Sequence, residues 1–299
     1  MRLSLRTLNA GIFGVVLAAT SASAEVVATT ANDGNLVMED VPPISATLVD
    51  TLNRYQNVRS ANFSDWTEDG RGIYISTRFG DLTQVHRVDQ PGGARRQLTF
   101  FGEPVYGVSR QPGGSDLVFT RDAGGNEFSQ IFRLDPATGD ARMLSDGESR
   151  NGAVVWDRQG QRIAYQSTRR NGASNDVWIM DPAESDKARI ALESPDGTWW
   201  GPVEFSARGR QLLAVNYVST TDARSYAVDL DSGRATLLAG GDDDPSYNVP
   251  VAYDDDADGY WLLTDGQGDF RQLAWQPLDP DAAPTVITAD IPWNVSGAT

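Results

Sequence analysis

The sequence predicts an all-β protein, a β-propeller of four-stranded antiparallel blades. Five blades are expected complete, with the start of a truncated further one and a short helix ahead of the first. Two observations carry this. A unit of apolar strand, glycine-bearing turn and alternating strand recurs in "FSDWTEDGRGIYISTR" from Phe63, "AVVWDRQGQRIAYQSTR" from Ala153 and "PVEFSARGRQLLAVNY" from Pro202. A looser copy starts at Val108 and a fifth copy at Val251. The second half of the unit also recurs, as "QVHRVD", "QIFRLD", "DVWIMD", "SYAVDL" and "QLAWQPLD", with Asp89, Asp135, Asp181, Asp229 and Asp279 marking equivalent places 46 to 50 residues apart. Four short strands at a period in the forties mark a propeller blade. One such sheet cannot cover both of its faces, and stacking on neighbours does so. A β-sandwich also has many strands but keeps no such period.

The elements follow in order. Residues 1–24 have the pattern of a signal peptide, with Arg2 and Arg6, the apolar run "AGIFGVVLAA", and small residues before a cleavage site after Ala24. A membrane anchor is the alternative, but the run is shorter than the roughly 20 residues a span needs. The mature chain is therefore expected to be exported, periplasmic or secreted, and free of the membrane after cleavage. Residues 25–55 form a leader. In it Leu48, Val49, Leu52 and Tyr55 fall at helical spacing after Pro42-Pro43, so a short amphipathic helix is expected to pack on the propeller's edge. Residues 56–289 hold blades 1–5. Residues 290–299, "DIPWNVSGAT", read as a linker and first inner strand that begins another blade.

Composition narrows the function. The formal net charge of −16 repels phosphate backbones and anionic lipid, which argues against nucleic acid and membrane surfaces as partners. There is no cysteine, hence no disulfide, thiolate nucleophile or Cys-based zinc site.

The stretches "RFGDLTQVHRV", "RDAGGNEFSQIFRLD" and "RRNGASNDVWIMDP", and the region Tyr55–Pro182 generally, resemble the propeller domain of bacterial prolyl oligopeptidase-family serine peptidases, the acylaminoacyl- and dipeptidyl-peptidase-like group. The resemblance implies an N-terminal propeller that filters peptide substrates for a C-terminal α/β-hydrolase domain with a Ser-Asp-His triad. That hydrolase domain is missing from this sequence, so no catalytic residue carries over. Missing domain and peptide are the partners implied, with no cofactor. A stand-alone periplasmic binding or scaffold propeller of the Tol-system type is the alternative. A lyase or hydrolase with a metal in the tunnel would need several histidines.

The residues agree. "GVSRQ" at Gly107, "GGSDL" at Gly113 and "GASN" at Gly172 all fail the Gly-x-Ser-x-Gly pattern of a nucleophile elbow. The only histidine, His86, lies in an expected strand with no partner motif. The chain alone is expected to hydrolyse nothing. "DDDADG" matches the opening of a calcium loop at Asp254, Asp256 and Asp258, with Asp265 at the twelfth position. The intervening "YWLLT" reads as a strand, which would carry Asp265 about 20 Å away, so a solvated acidic turn is the stronger reading. Finally, an arginine follows the second strand in three blades: Arg78, Arg121 and Arg169. Equivalent loops of successive blades emerge on one rim, with Glu127 and Asp176 nearby. Two readings stand. These residues form local salt bridges that pin each hairpin, or they form a rim that meets the catalytic domain or a peptide carboxylate through arginine's fork.

Overall fold

The computed structural model describes residues 26–298 apart from 196, 244 and 255–257. The expected signal peptide, its cleavage site and Asp256 therefore lie outside the described residues. The first element is a hairpin that the sequence pattern did not announce. Strands β1 (Ala28–Ala31) and β2 (Leu36–Glu39) pair antiparallel around Asn32 and Asp33, whose φ angles are 52° and 53°. Asn and Asp tolerate this left-handed region better than other side chains, and a tight reversal requires it.

Helix α1 (Ala46–Gln56) starts where Ser45 Oγ accepts the Leu48 N–H at 3.3 Å, an N-cap. Its position agrees with the apolar spacing, but its packing does not. The helix buries none of its residues, and Leu48, Val49, Leu52 and Tyr55 are all exposed, Tyr55 to 78%. Amphipathicity says that a face favours cover; no described part of this chain provides it.

Five four-stranded antiparallel sheets follow, each in simple sequence order. Blade 1 is β3 (Ala61–Trp66), β4 (Ile73–Thr77), β5 (Gln84–Val88) and β6 (Arg96–Gln97). Blade 2 is β7 (Tyr106–Arg110), β8 (Leu117–Arg121), β9 (Gln130–Leu134) and β10 (Ala141–Met143). Blade 3 is β11 (Asn151–Trp156), β12 (Ile163–Ser167), β13 (Asp176–Met180) and β14 (Arg189–Leu192). Blade 4 is β15 (Trp199–Phe205), β16 (Gln211–Ser219), β17 (Asp222–Asp229) and β18 (Ala235–Ala239). Blade 5 is β19 (Asn248–Tyr253), β20 (Gly259–Thr264), β21 (Gln272–Pro277) and β22 (Thr285–Val286).

The first strands touch across blades, β3 with β7, β11 with β15 and β15 with β19, so they are the inner ones. Every one of the five carries a register shift. A bulge bends and twists a strand, which suits the crowded centre of a propeller.

The core is four seams. Tyr74, Val85, Leu117 and Phe119 fill the seam of blades 1 and 2, while Val118, Ile131, Tyr165 and Trp178 fill the next. Leu212 joins the seam of blades 3 and 4, and Leu213 that of blades 4 and 5. Adjacent strand residues point to opposite faces, so a middle strand with a neighbour on each side buries both. Each such side chain contributes about 1.5–3 kcal/mol.

The rim that carries the turns between first and second strands is laced. Gln111 Nε2 donates to the Gly160 carbonyl at 2.6 Å, Gln159 Nε2 to that of Ala207 at 3.1 Å, and an Arg162 terminal nitrogen to that of Gly209 at 2.7 Å. The turns between third and fourth strands add Arg142 to the Pro182 carbonyl at 2.6 Å and Arg189 to that of Leu230 at 3.1 Å.

Among the described residues no extended contact joins blade 5 to blade 1. The last segment instead follows the habit of earlier linkers. Val105 N–H donates to the Thr83 carbonyl at 2.9 Å and Asn151 N–H to that of Ser129 at 3.1 Å; Val295 N–H likewise donates to that of Arg271 at 2.8 Å. Each acceptor immediately precedes a third strand.

Candidate functional site

Loops between second and third strands share the other rim with the linkers that enter the next blade. On that rim, a polar side chain, buried in blades 1 to 3 and half-buried in blade 5, opens the third strand and ties down the linker. Gln84 Nε2 donates to the carbonyls of Phe101 (3.2 Å) and Glu103 (3.0 Å). Gln130 Nε2 donates to that of Ser149 (2.7 Å), and its Oε1 accepts the Ser145 hydroxyl (2.7 Å) and the Gly147 N–H (3.0 Å). Asp176 Oδ1 accepts the Ser194 N–H at 2.8 Å, and Gln272 Nε2 donates to the Thr288 carbonyl at 3.3 Å. Sequence reasoning missed this device, although its signal was present: the same position opens "QVHRVD", "QIFRLD", "DVWIMD" and "QLAWQPLD".

The five rim candidates fall into different roles. Arg78 is used up by main-chain carbonyls: Gln56 at 2.8 Å, Val58 at 3.3 Å and Asp81 at 3.3 Å. It holds the exit of α1 against blade 1. Arg121 lies with its guanidinium carbon 4.7 Å from the ring centres of both Phe101 and Phe132, a cation–π sandwich. No described carboxylate pairs with it, and its Nε is enclosed without a partner. Glu127 is exposed with φ 63°, and its N–H donates to Asp122 Oδ2 at 2.9 Å. Arg169 lies 5.3 Å above the Trp178 ring and 3.6 Å from Asp146. Asp176 is fully buried and belongs to Arg170, not Arg169, through bonds of 2.7 and 2.9 Å.

Asp146 is the one acid of this rim with a telling titration. Burial works to raise it, but the hydroxyl and N–H of Ser149, the N–H of Glu148 and the Arg169 charge outweigh that and hold its pKa below the ordinary value.

His86 is a strand residue of β5, as its pattern implied. Its ring is buried, with Nδ1 3.1 Å from the Gln84 carbonyl and Phe79 edge-on at 5.0 Å. Burial pushes its pKa down. Asp254 is likewise occupied: Oδ1 accepts the Asp258 N–H at 3.0 Å and Oδ2 the Trp275 indole N–H at 2.7 Å. Asp157 makes the same kind of turn in blade 3, accepting the Gln161 N–H at 2.8 Å. Among the described residues no group of three or more His, Asp and Glu side chains could hold a metal ion.

The rim has a small cavity of about 210 Å³ at the seam of blades 2 and 3. Asn126, Glu127, Phe128, Arg150, Thr168 and Asn175 line it. A larger groove of about 480 Å³ runs beside β18 toward the loop that leads to β22, with Asp242, Asn248 and Gln276 in its walls.

This chain folds as a β-propeller. Three solved structures are similar to it. A prolyl endopeptidase matches with TM-score 0.62 and 12% identity over 90% of this chain and 46% of that one. TolB from Acinetobacter baumannii matches with TM-score 0.50 and 16% identity over 87% and 61%. An oligogalacturonate lyase in complex with manganese matches with TM-score 0.58 and 14% identity over 76% and 66%. At these identities the likeness extends to the fold alone. The chain spans less than half the length of the prolyl endopeptidase. No protein-family model matches the propeller, and no curated protein sequence does. Among its described residues no helix is long and apolar enough to cross a membrane.

Proposed function

We propose that this propeller is the substrate-gating portion of an exported prolyl oligopeptidase-type serine peptidase, acting on peptides through a hydrolase domain outside this sequence. One observation carries the reading. Helix α1 is held at the loop rim by Arg78 while its apolar face stays uncovered. An uncovered apolar face at this rim suits docking of a second domain. The resemblance of Tyr55–Pro182 to the peptidase group and the fold shared with a prolyl endopeptidase support it. In this role the chain itself supplies no nucleophile or base. It orients and admits peptides, and the covalent chemistry belongs to the partner domain.

The test is to read the gene for about two kilobases past the codon for Thr299. An in-frame or once-shifted continuation into a Gly-x-Ser-x-Gly segment with downstream Asp and His is expected. A stop with no hydrolase sequence nearby overturns the reading. The second reading, a free-standing envelope scaffold, then takes its place. The fold shared with TolB over 87% of the chain favours that one, and the uncovered face of α1 would serve a protein partner equally well. A lyase with a metal in the tunnel fits the residues poorly, since the single histidine is buried against a main-chain carbonyl and Phe79.

A further inference from the structure

We infer that the rim cavity between blades 2 and 3 binds a small zwitterion of free α-amino-acid type, with its carboxylate at Arg150 and its ammonium at Glu127. This does not rest on the peptidase reading, because every wall of the cavity belongs to this chain.

The first observation is charge. Glu127 and Arg150 line the same cavity, yet no described residue forms an ion pair or side-chain hydrogen bond with either one's charged group. Three other arginines of this rim are engaged. Arg78 is consumed by carbonyls, Arg169 faces Asp146 and Arg170 grips Asp176. The two unpaired charges are opposite, and they do not approach each other closely enough to pair.

The second observation is fixation. Glu127 holds a left-handed backbone at φ 63°, which a side chain that large rarely adopts. The loop holds it there: Asp122 Oδ2 accepts the Glu127 N–H at 2.9 Å and Asn126 Oδ1 accepts the Phe128 N–H at 3.0 Å. Across the cavity, Arg150 N–H donates to Thr168 Oγ1 at 3.1 Å while its carbonyl accepts the Thr168 N–H at 3.1 Å. The backbones of both residues are therefore set in place before a ligand arrives, which lowers part of the ordering cost of binding.

The third observation is size and lining. About 210 Å³ suits a single amino acid and lies below the roughly 300 Å³ where drug-sized pockets begin. Phe128 is 46% exposed and supplies an apolar wall, and the Asn175 amide has no described partner. A plain anion would satisfy Arg150 but meet Glu127, and a plain cation the reverse. A zwitterion satisfies both, so the pair discriminates by repulsion as well as attraction.

Titration calorimetry on the purified chain at low ionic strength tests this with L-leucine, N-acetyl-L-leucine and L-leucine amide. L-Leucine should bind, and each blocked form should bind at least about tenfold more weakly, the usual loss for one charged hydrogen-bonding pair. Glu127→Gln should erase the preference over N-acetyl-L-leucine, and Arg150→Gln the preference over the amide. No binding of L-leucine, or equal binding of the blocked forms to the unaltered chain, overturns the inference without reliance on any variant. Catalysis plays no part in the readout, so the outcome is separate from that of the peptidase reading.

Discussion

At Gly160 the backbone takes φ 66°, and a Cβ there would collide with the Pro112 carbonyl oxygen of the neighbouring turn. Gly160→Ala should therefore cost about 2–4 kcal/mol, from left-handed strain and overpacking together, read as a fall in the urea midpoint. Gln130→Ala should cost roughly 3 kcal/mol, because it strips the Ser145 hydroxyl and the Gly147 N–H of their acceptor inside the rim. A pH effect belongs to Asp146. Its folded pKa lies below the ordinary 3.8, so its contribution is fully present above that value and is lost as pH falls through the lower folded one. Asp146→Asn should narrow the stability difference between about pH 6 and pH 3; an unchanged difference counts against the assignment. The residue scale is also where the sequence was least legible. Arg169 and Arg170 are neighbours, and only the path of the chain past β12 decides which of them reaches buried Asp176. The cavity residues Arg150, Phe128 and Asn175 carry no motif, because their meeting depends on two loops from different blades.

Among elements, the strands and turns of the blades were legible because each blade must bury the same pattern on both faces. The hairpin of β1 and β2 was not. Its strands are four residues each and nearly all exposed, so no alternation marks them. Helix α1 was legible in start and spacing, through Ser45 and the run Leu48, Val49, Leu52, but its lack of cover was not. That lack has a measurable consequence. Leu48→Ser with Leu52→Ser should move the stability of this chain by under ~0.5 kcal/mol per site, as for other surface changes. A loss above about 2 kcal/mol in urea unfolding would mean that the face is buried after all.

For the whole molecule, stability is the sum of four seams, and the end blades have one each while the inner blades have two. Blade 1 shows this on its inner strand, where Phe63 and Trp66 are 58% and 55% exposed. Amide hydrogen exchange should accordingly be slowest in β12, β13 and β16 and faster in β4 and β20. Uniform protection across all five blades would contradict a seam-by-seam account.

The laced rim has a further consequence, for how such a chain can diversify. Residues inserted on the laced side would part Gln111 from Gly160 or Arg162 from Gly209 and so pry blades apart. On the opposite side the loops between second and third strands are freer than the tied linkers: lengthening one costs only about 0.6 kcal/mol per doubling, plus any tie such as Arg78 that it disturbs. Lineages that share this architecture should therefore accumulate their insertions, and their new specificities, on one side of the disc.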